Sequence, residues 1–376
     1  MNSINKTFLA DGTPYSPQNP LIIAELGTGH GGSLSRAQEL AHAAAEAGAS
    51  CVKLQMVFAD EILHPNTGEV ALPGGAIRLY DRFKQLEMPP DFYAKVKEYV
   101  ESRGLLFLCT PFGLKSAQLL RELQPKIVKI ASPELNFTAL LREIAGWGLP
   151  VLLSSGVSTL GDIEEAVKIM RSPNNAPHSP ICLLHCVTAY PAPETDYNLR
   201  VLRNLAAVFG VPVGLSDHSL DPELVPALAV SQGAAVIEKH FCLSRDDSGL
   251  DDPIALPPPE FARMVRAIRR AAETGPEETI ASISRERGAA LIEAVLGSGI
   301  KTLAPSEQEN YSRTNRSIHA LRDIHAGETI GAGDFAILRT EKILRPGLAP
   351  SRAADICGRT ARQFIPAGEG IRFEDI

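Results

Sequence analysis

The sequence predicts an α/β chain: a (β/α)8 TIM barrel over residues 1–275, a linker over 276–315 and a small β-rich domain over 316–376. Three observations carry this expectation. Short apolar, β-branched runs recur with helix-like segments between them, as parallel strands with crossover helices require. The first strand-to-helix turn holds Gly27, Gly29, Gly31 and Gly32 around His30, a spacing that does not fit the GxGxxG of an open dinucleotide-binding sheet. Near the end, IHAGETI (324–330) and IPAGEGI (365–371) repeat one form, each reading as a glycine turn between short strands.

The eight strands are expected at 21–26, 50–55, 105–110, 127–131, 151–154, 181–187, 213–216 and 235–241. Two of the intervening helices have legible ends. The Ala-rich stretch 36–47 stops at Gly48 and the amphipathic stretch 91–103 stops at Gly104, each glycine placed where it can terminate a helix. Eight strand–helix units favour closure into a barrel over an open sheet. After Ala272 the pattern gives way to a polar stretch with one helical piece, which reads as a linker.

Composition narrows the function. A net charge of −7 without a basic run points away from nucleic acid and from anionic membranes, and toward a small-molecule partner. The polar start and the lack of any stretch near the roughly 18 apolar residues of a membrane span lead us to expect a cytoplasmic protein. Six cysteines lie in strand-like runs without CxxC pairs, which suits reduced core thiols better than disulfides or a zinc site.

In such a barrel the chemistry gathers at the carboxyl ends of the strands, and the unusual polar residues fall there. They are Glu25; Lys53 and Gln55; Thr110; Lys129, Ser132 and Glu134; Ser154 and Ser155; His185 and Thr188; Ser216, Asp217 and His218; Glu238 and His240. Residues two apart on a strand share a face, so Lys53 points with Gln55 and Glu238 with His240. Two lysines facing a barrel interior need an anion. It is either a neighbouring carboxylate (Glu25, Glu134 or Glu238) or the phosphate or carboxylate of a ligand, with Ser132, Ser154 and Ser216 assisting. His218 and His240 end adjacent staves, so their imidazoles can converge on a divalent metal, Mn²⁺ before Mg²⁺ or Co²⁺. Glu25 and Glu134 are the candidates for catalytic acid or base. An imine-forming lysine, as in a Schiff-base aldolase, is the rival chemistry, and it would leave the histidine pair without a task.

These residues resemble the sialic acid synthase family along almost the whole chain. IAELG (22–27 with the preceding Ile22) and His30, VKLQ (52–55), KIASPE (129–134), SSG (154–156), GLSDH (214–218), IEKHF (237–241) and the RSI opening at Arg316 are similar to its motifs. The final domain resembles the antifreeze-like (SAF) domain that ends such chains. The resemblance implies a C–C bond-forming transferase that condenses phosphoenolpyruvate with an open-chain, N-acetylmannosamine-like amino sugar. It implies that Lys53, Thr110, Lys129, Ser132, Ser154 and Ser216 hold phosphoenolpyruvate and that His218 and His240 bind the metal. Gln55, Tyr190, Asp251 and Arg316 would meet the sugar, and Thr188 stands where some members contact the enolpyruvate with Asn. A domain-swapped homodimer is also implied, in which the small domain caps the partner's barrel. Gly29 replaces the family's Asn and Pro133 its Gly, so the acceptor stays open between this sugar and the diacetamido sugars of legionaminic and pseudaminic acid synthases.

Overall fold

The computed structural model describes residues 7–72, 75–172, 179–247 and 249–376. Eight parallel strands close into a barrel: β1 (Leu21–Gly27), β2 (Cys51–Met56), β3 (Leu106–Pro111), β4 (Val128–Ile130), β5 (Val151–Ser154), β6 (Ile181–Cys186), β7 (Val213–Asp217) and β8 (Ala234–His240). Closure is made by β8 against β1, in a register that sets His240 opposite Glu25. Eight helices alternate with them: α1 (Leu34–Glu46), α2 (Pro90–Ser102), α3 (Leu114–Glu122), α4 (Thr138–Ala145), α5 (Leu160–Met170), α6 (Val201–Phe209), α7 (Leu224–Ser231) and α8 (Pro258–Thr274). Gly48 and Gly104 follow α1 and α2 with φ of 94° and 74°, the left-handed conformation that glycine adopts without strain.

Strand alternation divides the side chains into two layers. Outward residues such as Ile22, Val52, Phe107, Leu153 and Leu215 pack under the helices. Inward residues are apolar only in the lower half, where Ile23, Cys51, Leu108, Leu152, Leu184 and Val236 meet Phe8 and Tyr15. Those two aromatics come from the antiparallel hairpin Phe8–Ala10/Thr13–Tyr15, which plugs the barrel floor. Two residues further along each strand the inward position turns polar, giving Glu25, Lys53, Ser154, Cys186 and Glu238. On β7 that inward row begins at Gly214. A Cβ there would lie 2.6 Å from both Leu184 Cδ2 and the Val236 carbonyl oxygen, so only glycine lets these staves approach.

The stretch 276–315 is more ordered than a linker. It forms α9 (Pro276–Arg287) and α10 (Ala289–Leu296). Helix α9 packs against α7, and Ile292, Val295 and Leu296 of α10 join the main core. The sparse apolar positions of α9 hid it, since one buried stripe suffices when a helix rides on an existing surface, whereas α10 is apolar at every position but Glu293.

The C-terminal domain pairs β9 (Arg316–Ala320) with β10 (Phe335–Arg339) in antiparallel fashion. The repeated motif supplies its core: Ile324, Ile330, Ile365 and Ile371 are fully buried together, and Ile324 and Ile365 exchange backbone hydrogen bonds of 2.9 Å. Gly327 and Gly368 take φ of 89° and 92°, the turn role expected of them. Within the single chain this domain lies over the mouth of its own barrel, where Asn136 bonds the Arg316 backbone. No described helix is long and apolar enough to cross a membrane. All six cysteines are free; five are buried and Cys357, expected in the core, is exposed.

Candidate active site

The carboxyl ends of the strands open into a cavity at the barrel mouth. Of the residues singled out above, Glu25, Lys53, Gln55, Lys129, Ser132, Ser154, Thr188, Tyr190, Ser216, His218, His240 and Asp251 line it. The convergence follows from the barrel: each is an inward strand position or opens the loop beyond one.

At the base both lysines meet one carboxylate. Glu238 Oε1 accepts from Lys53 Nζ at 2.7 Å, from Lys129 Nζ at 2.9 Å and from the Ser216 hydroxyl at 3.0 Å. Burial opposes ionisation of Glu238, yet Lys129 and Lys53 hold its carboxyl well below the usual range. Burial lowers Lys53 too, but Glu238 and Glu25 more than offset it and the ammonium sits above its ordinary value. Lys129 ends below its ordinary value, because burial and the neighbouring Lys53 outweigh its share of Glu238. One carboxylate thus serves two ammoniums, and the base is poised for a further anion. Of the residues that line the cavity, Ser154 Oγ and Glu25 Oε2 are buried without a hydrogen-bond partner, an uncommon state that leaves both open to a ligand.

Glu25 lies beside this cluster. Its Oε1 accepts from Gln55 Nε2 at 2.7 Å and its Oε2 lies 3.5 Å from Lys53 Nζ. Burial raises its carboxyl to about 7, against the pull of Lys53.

Above the base the two histidine rings stand 5.5 Å apart between centroids, with Tyr190 stacked 4.3 Å from His218. His218 Nδ1 donates to the Val187 carbonyl at 2.8 Å, which leaves Nε2 as the free nitrogen. His240 Nδ1 lies 3.8 Å from Asp251 Oδ2. Burial, reinforced by His218, keeps His240 well below its ordinary pKa, so its lone pair stays available to a cation. Among the described residues no three His, Cys, Asp or Glu side chains form a closed metal cage. Two imidazoles could give part of an open shell, with water or substrate oxygen giving the rest.

Others lie outside this lining: Ser155, His185 and Asp217, each buried, and Thr110, Glu134 and Arg316. Thr110 is buried just outside the lining. Glu134 follows Ser132 and Pro133 in a 3-10 turn that sends it away from the cavity, and its Oε1 is taken by Arg316 Nη2 at 3.0 Å and Arg339 Nη2 at 2.7 Å. Its Oε2 is buried without a partner but lies outside the cavity lining, so of the two acid or base candidates Glu25 is the one that lines the cavity. Arg316 is 1% exposed, its guanidinium spent on Glu134 and on the carbonyls of Glu61 and Phe112. Its cross-strand partner Arg339 reaches the cavity instead. Sequence reasoning also missed the apolar rim, made by Val57, Phe83, Leu86, Phe112 and Leu250.

A closed parallel barrel with a buried cationic cluster that opens at the strand carboxyl ends has the framework of (β/α)8 enzymes. The chain belongs to the NeuB family, whose model matches residues 40–278, and carries a SAF domain at 315–376. Among solved structures it is similar to the spore coat polysaccharide biosynthesis protein SpsE of Bacillus subtilis. That match has a TM-score of 0.80 at 33% identity and covers 98% of this chain and 99% of that one. A second is N-acetylneuraminic acid synthetase from Leptospira borgpetersenii, with a TM-score of 0.64 at 31% identity over 81% of this chain and 94% of that one. The N,N'-diacetyllegionaminic acid synthase of Campylobacter jejuni is 34% identical over 94% of this chain and 98% of its own length.

Proposed function

We propose that the protein condenses phosphoenolpyruvate with an open-chain N-acetylated amino sugar and water, giving a nine-carbon 2-ulosonic acid and phosphate. The observation that carries this reading is the paired Lys53 and Lys129 cluster, set beneath His218 and His240 in one cavity. The lysines, with the Ser132, Ser154 and Ser216 hydroxyls, bind the anionic groups of the three-carbon substrate and hold its C3 toward the acceptor. Gln55, Tyr190, Asp251 and Arg339 surround the sugar end. A divalent metal, Mn²⁺ by preference, held by His218 and His240 would supply Lewis-acid polarisation of the acceptor aldehyde. C3 bonds to the aldehyde carbon, and the carbonyl electron pair moves to oxygen, which takes a proton from Glu25. Water adds at C2 and returns a proton to Glu25, and phosphate then leaves with cleavage of the C2–O bond and carries off the proton of the new C2 hydroxyl, which becomes the ketone. Burial that keeps a proton on Glu25 up to about 7 suits it to donate.

The test is phosphate release from phosphoenolpyruvate with N-acetylmannosamine, its 6-phosphate and the two diacetamido-trideoxyhexoses. Release with one of them is expected. A diacetamido sugar as the preferred acceptor would make the product a legionaminic or pseudaminic acid, a reading favoured by the apolar rim and by the Campylobacter relative. No release with any of the four would refute the proposal.

Two further outcomes are expected of the same assay. Glu25→Gln should lower the rate by about 10²-fold. In the wild type the rate should fall as pH rises through about 7, where Glu25 loses its proton, and the variant should lose that limb. A profile unchanged by the substitution would remove Glu25 from the proton path. Arg339→Ala should raise KM for the sugar about tenfold to a hundredfold, the worth of a charge-assisted hydrogen bond, and leave KM for phosphoenolpyruvate unchanged.

A further inference from the structure

Asp217 and Lys239 are buried charges that the chemistry above does not use. They alternate with the cavity residues, Asp217 between Ser216 and His218 and Lys239 between Glu238 and His240, so both face outward into the apolar layer between barrel and helices. Neighbouring outward positions on the same strands are Leu215 and Ile237. Both charged side chains are fully shielded from solvent and pair at 2.7 Å. A buried ion pair is often no better for stability than apolar residues of the same volume, so its presence calls for another account.

Its hydrogen bonds converge on His218. Lys239 Nζ also donates to the backbone carbonyl and, at 3.2 Å, to the hydroxyl of Ser219. Asp217 Oδ1 accepts from the Tyr197 hydroxyl at 2.7 Å and from Ser219 N at 2.9 Å. The same Tyr197 oxygen accepts from the backbone N–H of His218 at 2.7 Å. On the far side the His218 carbonyl accepts from Ala192 N at 3.0 Å, and its Nδ1 is held by Val187. Tyr197 is in turn fixed through its own carbonyl, which accepts from His185 Nε2 at 2.6 Å. The backbone on both sides of the His218 ring is clamped, and the polar side-chain atoms of Tyr197, Asp217 and Lys239 all have partners.

We propose that Tyr197, Asp217 and Lys239 are positioning residues that fix the His218 imidazole and so set the affinity of the cavity for a divalent cation. The inference rests on the metal reading of His218 and His240. A ligand held in one orientation loses less freedom on binding, and groups that orient metal ligands typically change affinity by about 10–100-fold when removed. Tyr197→Phe deletes one oxygen and keeps the ring. Asp217→Asn keeps the acceptor for Tyr197 and should retain more of the affinity.

The experiment titrates purified full-length protein with Mn²⁺, follows the free ion by electron paramagnetic resonance, and records thermal unfolding of each protein without metal. Ile144→Val, a core change on α4, serves as the control that lowers stability alone. Tyr197→Phe is expected to weaken Mn²⁺ binding at least tenfold, with Asp217→Asn intermediate and Ile144→Val unchanged. Wild-type affinity retained in Tyr197→Phe, whatever its melting temperature, would overturn the positioning role and leave the metal reading intact. Failure of the wild type to bind Mn²⁺ would overturn both.

Discussion

Alanine at either His218 or His240 is expected to reduce phosphate release about 10³-fold, the scale of losing metal polarisation of a carbonyl. The structure offers two imidazoles and, among the described residues, no closed cage, so removing one leaves a single protein nitrogen for the ion. Chelation of the wild type should give the same loss, and Mn²⁺ should restore it. Chelation of either variant should add nothing. Binding of phosphoenolpyruvate, read by calorimetry, should survive in both, because the anion pole at Lys53 and Lys129 is built from other residues. A His218→Ala protein with full metal-dependent turnover would contradict the assignment.

Glu238→Gln is expected to lower the stability of the unliganded protein by about 3–5 kcal/mol, the cost of stranding buried charge when its partner is removed. Lys53 retains Glu25 at 3.5 Å, while Lys129 loses its contacts of 2.9 and 3.1 Å. Phosphoenolpyruvate or inorganic phosphate should recover most of this loss in urea denaturation, since an anion at the base takes over the carboxylate's place. The wild type, in which Glu238 already offsets one of the two ammoniums, should gain less. Equal gains in both proteins would mean that ligand anions do not sit between the lysines.

The barrel was legible because its two layers write different patterns. Outward strand positions are apolar apart from the Asp217–Lys239 pair, while inward ones switch from Ile23 to Glu25, from Cys51 to Lys53 and from Val236 to Glu238 as the chain climbs. The repeat near the end was legible for a similar reason, since its four isoleucines became one core. Which arginine faces the cavity was not. Arg316 and Arg339 sit opposite each other on paired strands and both contact Glu134, so only the docking of the small domain on the barrel decides that Arg316 is buried and Arg339 lines the pocket. Glu134 shows the same limit. Its neighbours Ser132 and Pro133 line the cavity, and a single tight turn rotates it away. Tyr197 went unnoticed because it lies in a loop between β6 and α6, where no periodicity reveals what a hydroxyl will meet.

A crystal structure of the protein with Mn²⁺ and phosphoenolpyruvate, the ion placed by anomalous scattering, would test the central claim most directly. The ion is expected on one nitrogen each of His218 and His240, with an anionic group of the ligand within hydrogen-bond reach of both Lys53 and Lys129. An ion bound away from the imidazoles, or a ligand that leaves both lysines bonded to Glu238 alone, would contradict it.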